Sequence, residues 1–168
     1  MRSRHAVLVF ASLMFVAAAP AANAISDDAC QLLTQQQVSA AVGVAVGAGS
    51  HVTPTYLKTC TWTASGSGED VRDVTISFQS APAFQGTKAM TESMVAGAKA
   101  EKKGTTASVE PASGIGDDAF YATMGEGYTG LLVKKGNVSF KVAIYGAMPT
   151  AKKKEAEKTL AQEALSKI

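Results

Sequence analysis

Four carboxylates hold the densest acid–base potential of this chain. Asp117 and Asp118 follow Gly114-Ile115-Gly116, Glu126 lies a little further on, and Glu110 precedes them. Converging carboxylates would serve a metal-dependent or general acid–base hydrolase. The same residues also have a structural reading. Aspartates after a glycine turn satisfy backbone donors and start a strand. Neighbours on a strand face opposite sides, so Asp117 and Asp118 would poorly share one ion. The structural reading is the expectation, and no catalytic residue, metal or cofactor is assigned.

Other nucleophilic and phosphate-binding chemistry finds little support. His51 is the sole histidine after the leader described below, and it is expected in a solvated loop next to Pro54. The glycines around residue 114 are followed by no lysine–serine/threonine pair, so they do not make a phosphate loop. No Gly-x-Ser-x-Gly elbow occurs.

The lysines offer a binding chemistry. Lys152, Lys153 and Lys154 open an expected terminal helix, where cations oppose the macrodipole. With Lys134, Lys135 and Lys141 they would form a basic patch for an anionic partner, such as envelope lipid or an acidic protein surface. Beside Glu155 and Glu157 they would equally make a solvated face. Trp62, Tyr121, Tyr128 and Tyr145 would line a groove or, as strand aromatics more often do, fill a core and pair across strands.

These residues sit in a chain with an export signal. Arg2, Arg4 and His5 precede an apolar run from Ala6 to Ala19, then Pro20 and the small-x-small site Ala22-Asn23-Ala24. This reads as a secretory signal peptide over residues 1–24. The 16 basic residues include Arg2 and Arg4, so the remainder balances the 14 acidic ones. Balance argues against nucleic acid as a partner. Cys30 and Cys60 are an even pair in an exported chain and are expected to form one disulfide. Lipidation of Cys30 is disfavoured by Asp27 and Asp28 before it, and two thiols are too few for a closed zinc site.

Residues 25–168 read as one domain. Cys30 to Gly43 reads as a helix that Gly43 stops; a later start, at a capping box of Thr34 and Gln37, is the alternative. Cys60, Trp62 and Ala64 alternate with threonines in one strand, and Val74, Ile76 and Phe78 mark another. A helix over 84–103 carries the stripe Phe84, Thr87, Thr91, Met94 and Ala98, and Gly104 closes it. Gly114 to Gly146 forms three apolar runs separated by glycine turns. The last alternates strictly, with Val138, Phe140, Val142 and Ile144 on one side, which predicts an antiparallel meander supplying most of the core. Leu160 and Ala164 lie on a terminal helix. Strands with helices packed on them indicate α+β.

Cys30-x-Leu-Leu-Thr34, Cys60-Thr61-Trp62 and Gly114-Ile115-Gly116-Asp117 resemble a family of bacterial exported proteins, many of them lipoproteins, that look like relatives of the PsbP-like fold. The resemblance implies an α/β/α sandwich around an antiparallel sheet, paired cysteines and a structural Gly-x-Gly-Asp motif. It implies no catalytic residues. This chain lacks the lipidation site, so anchoring is not carried over. The expected function is that of a non-enzymatic binding or accessory protein of the cell envelope, periplasmic or secreted, acting as a monomer on an unknown protein or envelope component. The alternatives are a hydrolase using Asp117, Asp118 or Glu126, and an assembly factor with a protein partner.

Overall fold

The structure is a computed structural model that describes residues 28–65, 70–100 and 107–168. The leader expected over 1–24 and the helix stop at Gly104 lie outside the described residues. Among the described residues no helix is long and apolar enough to cross a membrane.

The chain opens on a 3-10 turn, Ala29–Gln31, capped by the Asp28 carboxylate accepting from the Cys30 N–H at 2.8 Å. Helix α1, Gln35–Val42, starts separately. Thr34 and Gln37 form the full capping box, and Gly43 ends the helix at φ 74°. The version beginning at Thr34 is therefore the one the chain adopts. Two reciprocal side-chain bonds satisfy donors that a helix start otherwise leaves unpaired.

Strands β1 (Ser50–His51), β2 (Thr59–Thr63) and β3 (Asp73–Ser80) follow, then helix α2 (Ala81–Ala100). Strands β4 (Ser108–Pro111), β5 (Asp118–Thr123), β6 (Tyr128–Lys135) and β7 (Val138–Tyr145) lead to helix α3 (Thr150–Leu165). All seven strands join one antiparallel sheet in the order β1-β2-β3-β7-β6-β5-β4. The expected meander is β5-β6-β7, and β7 occupies the centre between β3 and β6.

Period-two alternation divides the sheet into two faces. On one, Trp62, Val74, Ile76, Val142, Ile144 and Leu131 meet α1 and α3 in the main core. On the other, Phe120 and Leu132 meet Phe84 of α2 in a smaller cluster, the two rings edge to face at 5.4 Å. The fold is thus α+β, with helices on both faces. Along α2 the buried residues are Phe84, Thr91 and Val95, while Met94 is 50 % exposed. The sequence stripe placed Met94 inward. Both Met94 and Val95 follow Thr91 at helical spacing, and packing on the sheet selects Val95.

Cys30 and Cys60 form a disulfide, their Cα atoms 4.9 Å apart. It joins the 3-10 turn to β2, next to the fully buried Trp62. Gly49 lies against this joint: a Cβ there would approach Cys60 Sγ to 2.7 Å and the Trp62 indole to 2.8 Å. Neither group can retreat, because both are buried. Gly49→Ala should therefore cost about 1–3 kcal/mol, as overpacking does. Urea denaturation checks this through a lower midpoint with unchanged slope.

Candidate functional site

The structure places the candidate carboxylates apart. Asp117 Oδ2 accepts from the Gly136 N–H at 2.6 Å, and its Oδ1 accepts from Lys135 Nζ at 3.1 Å. Asp117 thus ties the glycine turn to the β6–β7 hairpin. The Gly136 N–H, then Lys135, holds its carboxyl below the usual range. Asp118 faces the other way and pairs with Lys88 of α2 at 3.7 Å. Glu126 lies in the β5–β6 turn, beyond the opposite end of β5. Glu110 accepts from Lys154 at 2.7 Å and from Ser108, and the bond from Lys154 leads in lowering its pKa. With Asp117 and Asp118 on opposite sides and Glu126 a strand's length away, no single ion is shared. Millimolar calcium should leave the melting temperature unchanged within error. A rise of several degrees, lost in Asp118→Asn, would contradict this placement.

The six lysines do not form one patch. Lys134 and Lys141 face the α2 side of the sheet, where burial pushes the Lys141 pKa down. Lys135 pairs with Asp117 at the hairpin. Lys154 is held by Glu110 and stands over the Tyr121 ring at 5.4 Å. Only Lys152 of the α3 trio is exposed. Lys153 is 0 % exposed, and its ammonium donates to the Glu126 carbonyl at 2.5 Å and the Gly146 carbonyl at 2.6 Å. It closes two turns of the sheet onto the start of α3. Its distant partners explain why a lysine in a helix's first turn goes inward.

Glu157, one turn further along α3, is also 0 % exposed. Its Oε1 accepts from the Ile144 N–H at 3.2 Å. Burial raises its pKa to about 9, against the lowering effects of that bond and of Lys153 and Lys154. Burial thus favours the protonated, neutral form of this acid. Burial likewise raises Tyr128, whose ring packs on Tyr145 at 5.1 Å across the β6–β7 ladder. Trp62 is core and Tyr128–Tyr145 is a cross-strand pair, while Tyr121 donates its hydroxyl to the Lys154 carbonyl at 3.1 Å.

His51 is not in a solvated loop. It lies in β1 and is half-buried, with Nε2 3.2 Å from Asp28 Oδ1 and Nδ1 3.0 Å from the Thr59 carbonyl. Cys30 Sγ is 3.7 Å from Nδ1. Asp28, Cys30 and His51 could be read as a metal cluster. The disulfide removes the thiolate that such a site would need, leaving two donors in contact with each other. His51 thus packs beside the disulfide.

A groove of about 610 Å³ lies between α1 and α3. Ala41, Val42, Ala156 and Met148 make its apolar floor, and Lys152, Glu155 and Glu163 its charged rim. Small side chains on facing helix surfaces leave the space open. Gln37 donates to Glu163 at 2.8 Å and bridges the two helices. Sequence reading missed this site because Ala40 and Ala41 carry no chemical signal. Small residues at neighbouring helical positions near Gly43 were the available sign. No protein-family model, curated protein or solved structure matches the chain.

Proposed function

We propose that the protein is an exported, non-enzymatic binding or accessory protein of the bacterial cell envelope, built on a PsbP-like sandwich and acting as a monomer in the periplasm or after secretion. The observation that carries this reading is the dispersal of Asp117, Asp118 and Glu126. Asp117 and Asp118 are engaged with separate partners, and Glu126 stands a strand's length away, so the carboxylate hydrolase loses its geometric basis. The leader-like sequence and the Cys30–Cys60 disulfide support an oxidising compartment. The α1–α3 groove supplies the binding surface, with an apolar floor for small side chains and mixed charges for orientation.

Co-purification from the envelope fraction tests this. Ala40 and Thr159 line the groove and are exposed, so Ala40→Trp and Thr159→Arg should leave the fold intact. Both should remove a partner that wild type retains, and Asp118→Asn should keep it. Retention by both groove variants, with loss in Asp118→Asn, would overturn the reading.

A further inference from the structure

Of the six methionines, Met1 and Met14 fall in the leader and four follow it. Met148 packs against the main core. The other three do not: Met90 is 60 % exposed, Met94 50 % and Met124 37 %. Methionine is ordinarily a core filler, adaptable enough to enter irregular gaps. Here the small cluster under α2 uses Phe84, Phe120, Ala122 and Leu132, and leaves the thioethers outside.

Two of them share a pocket, and the third lies one helical turn from Met94. Met90 and Met94 are one turn apart on α2, where side chains at this spacing are neighbours. Met124 directly follows β5. Met94 and Met124 line one pocket of about 230 Å³ with Val95, Ala98, Ala107 and Gly125. Among the described residues, no side chain of that lining carries a carboxylate, imidazole or amine.

We infer that Met90, Met94 and Met124 form a site for a soft monovalent cation, Cu(I). Thioether sulfur is a soft, uncharged donor that suits Cu(I) and discriminates against Mg²⁺, Ca²⁺ and Zn²⁺, which favour oxygen, nitrogen or thiolate. The apolar side chains Val95, Ala98 and Ala107 around the two thioethers reinforce that choice. No electron transfer is involved: the cation binds as Cu(I) and leaves as Cu(I). The site lies on the α2 side of the sheet, away from the α1–α3 groove, and does not depend on the function proposed for that groove.

Silver nitrate in chloride-free buffer is the probe, since Ag(I) has the same softness and charge and undergoes no redox change. Methyl resonances of ¹³C-methyl-methionine protein report each thioether. Ag(I) should shift Met90, Met94 and Met124 together, reach one equivalent, and leave Met148 unmoved. Met90→Leu/Met94→Leu/Met124→Leu keeps volume and apolarity but removes sulfur, and should weaken Ag(I) by about 10- to 100-fold. Thioethers do not titrate, so affinity should stay constant between about pH 5 and pH 8, where a histidine site would weaken on acidification. Unchanged affinity in the triple leucine variant, or loss of binding in His51→Ala instead, would overturn the assignment.

Discussion

Wild-type protein should lose stability as pH rises from about 4.5 towards about 9, and Glu157→Gln should abolish that component. The folded state keeps a proton on Glu157 up to about pH 9, because burial disfavours its charge. The unfolded chain releases it near the ordinary carboxylate value. Between the two values the native state binds more protons, so stability is full at the acidic end and falls with rising pH. One such group imposes a slope of at most about 1.4 kcal/mol per pH unit. Glutamine retains the acceptor for the Ile144 N–H and has no proton to lose. Denaturant midpoints of both proteins across the range provide the check: the curves should diverge upward in pH, with the variant more stable at pH 8. Parallel curves would mean that Glu157 is ionised in the native state.

The disulfide carries the second large effect. Its two cysteines are 30 residues apart in sequence, so the bridge restricts a loop of that length in the unfolded chain. Chain entropy gives about 3–4 kcal/mol for such a closure. Cys30→Ser/Cys60→Ser should lower stability by that amount, since the bridge also fixes the 3-10 turn against β2 beside Trp62. Equilibrium denaturation of the double variant beside wild type measures it. A loss below about 1 kcal/mol would show that the surrounding core holds the turn without the bond.

The sheet was legible in the sequence because its signal is local. Val138, Phe140, Val142 and Ile144 alternate on one strand, and β7 pairs through them on both sides. Thr34 and Gln37 fixed the start of α1 for the same reason. What could not be read depends on partners remote in the chain. Lys153 in the first turn of α3 has the signature of a solvated cation, yet carbonyls of Glu126 and Gly146 draw it inside. Lys153 and Glu157 at helical spacing look like a surface ion pair and are both interior. His51 finds Asp28 only once β1 pairs with β2 next to the disulfide. Met94 and Val95 are adjacent, and only the crossing of α2 over the sheet decides which is buried. The groove is defined by what Ala40 and Ala41 lack, which no motif records.

We propose the α1–α3 groove, rather than the dispersed Asp117, Asp118 and Glu126, as the working surface. Photo-crosslinking amino acids at positions 40 and 159, with position 93 on α2 as the control, test this most directly in the native envelope. The account predicts one discrete adduct from 40 and 159 and none from 93. Adducts from 93 with none from either groove position would contradict it.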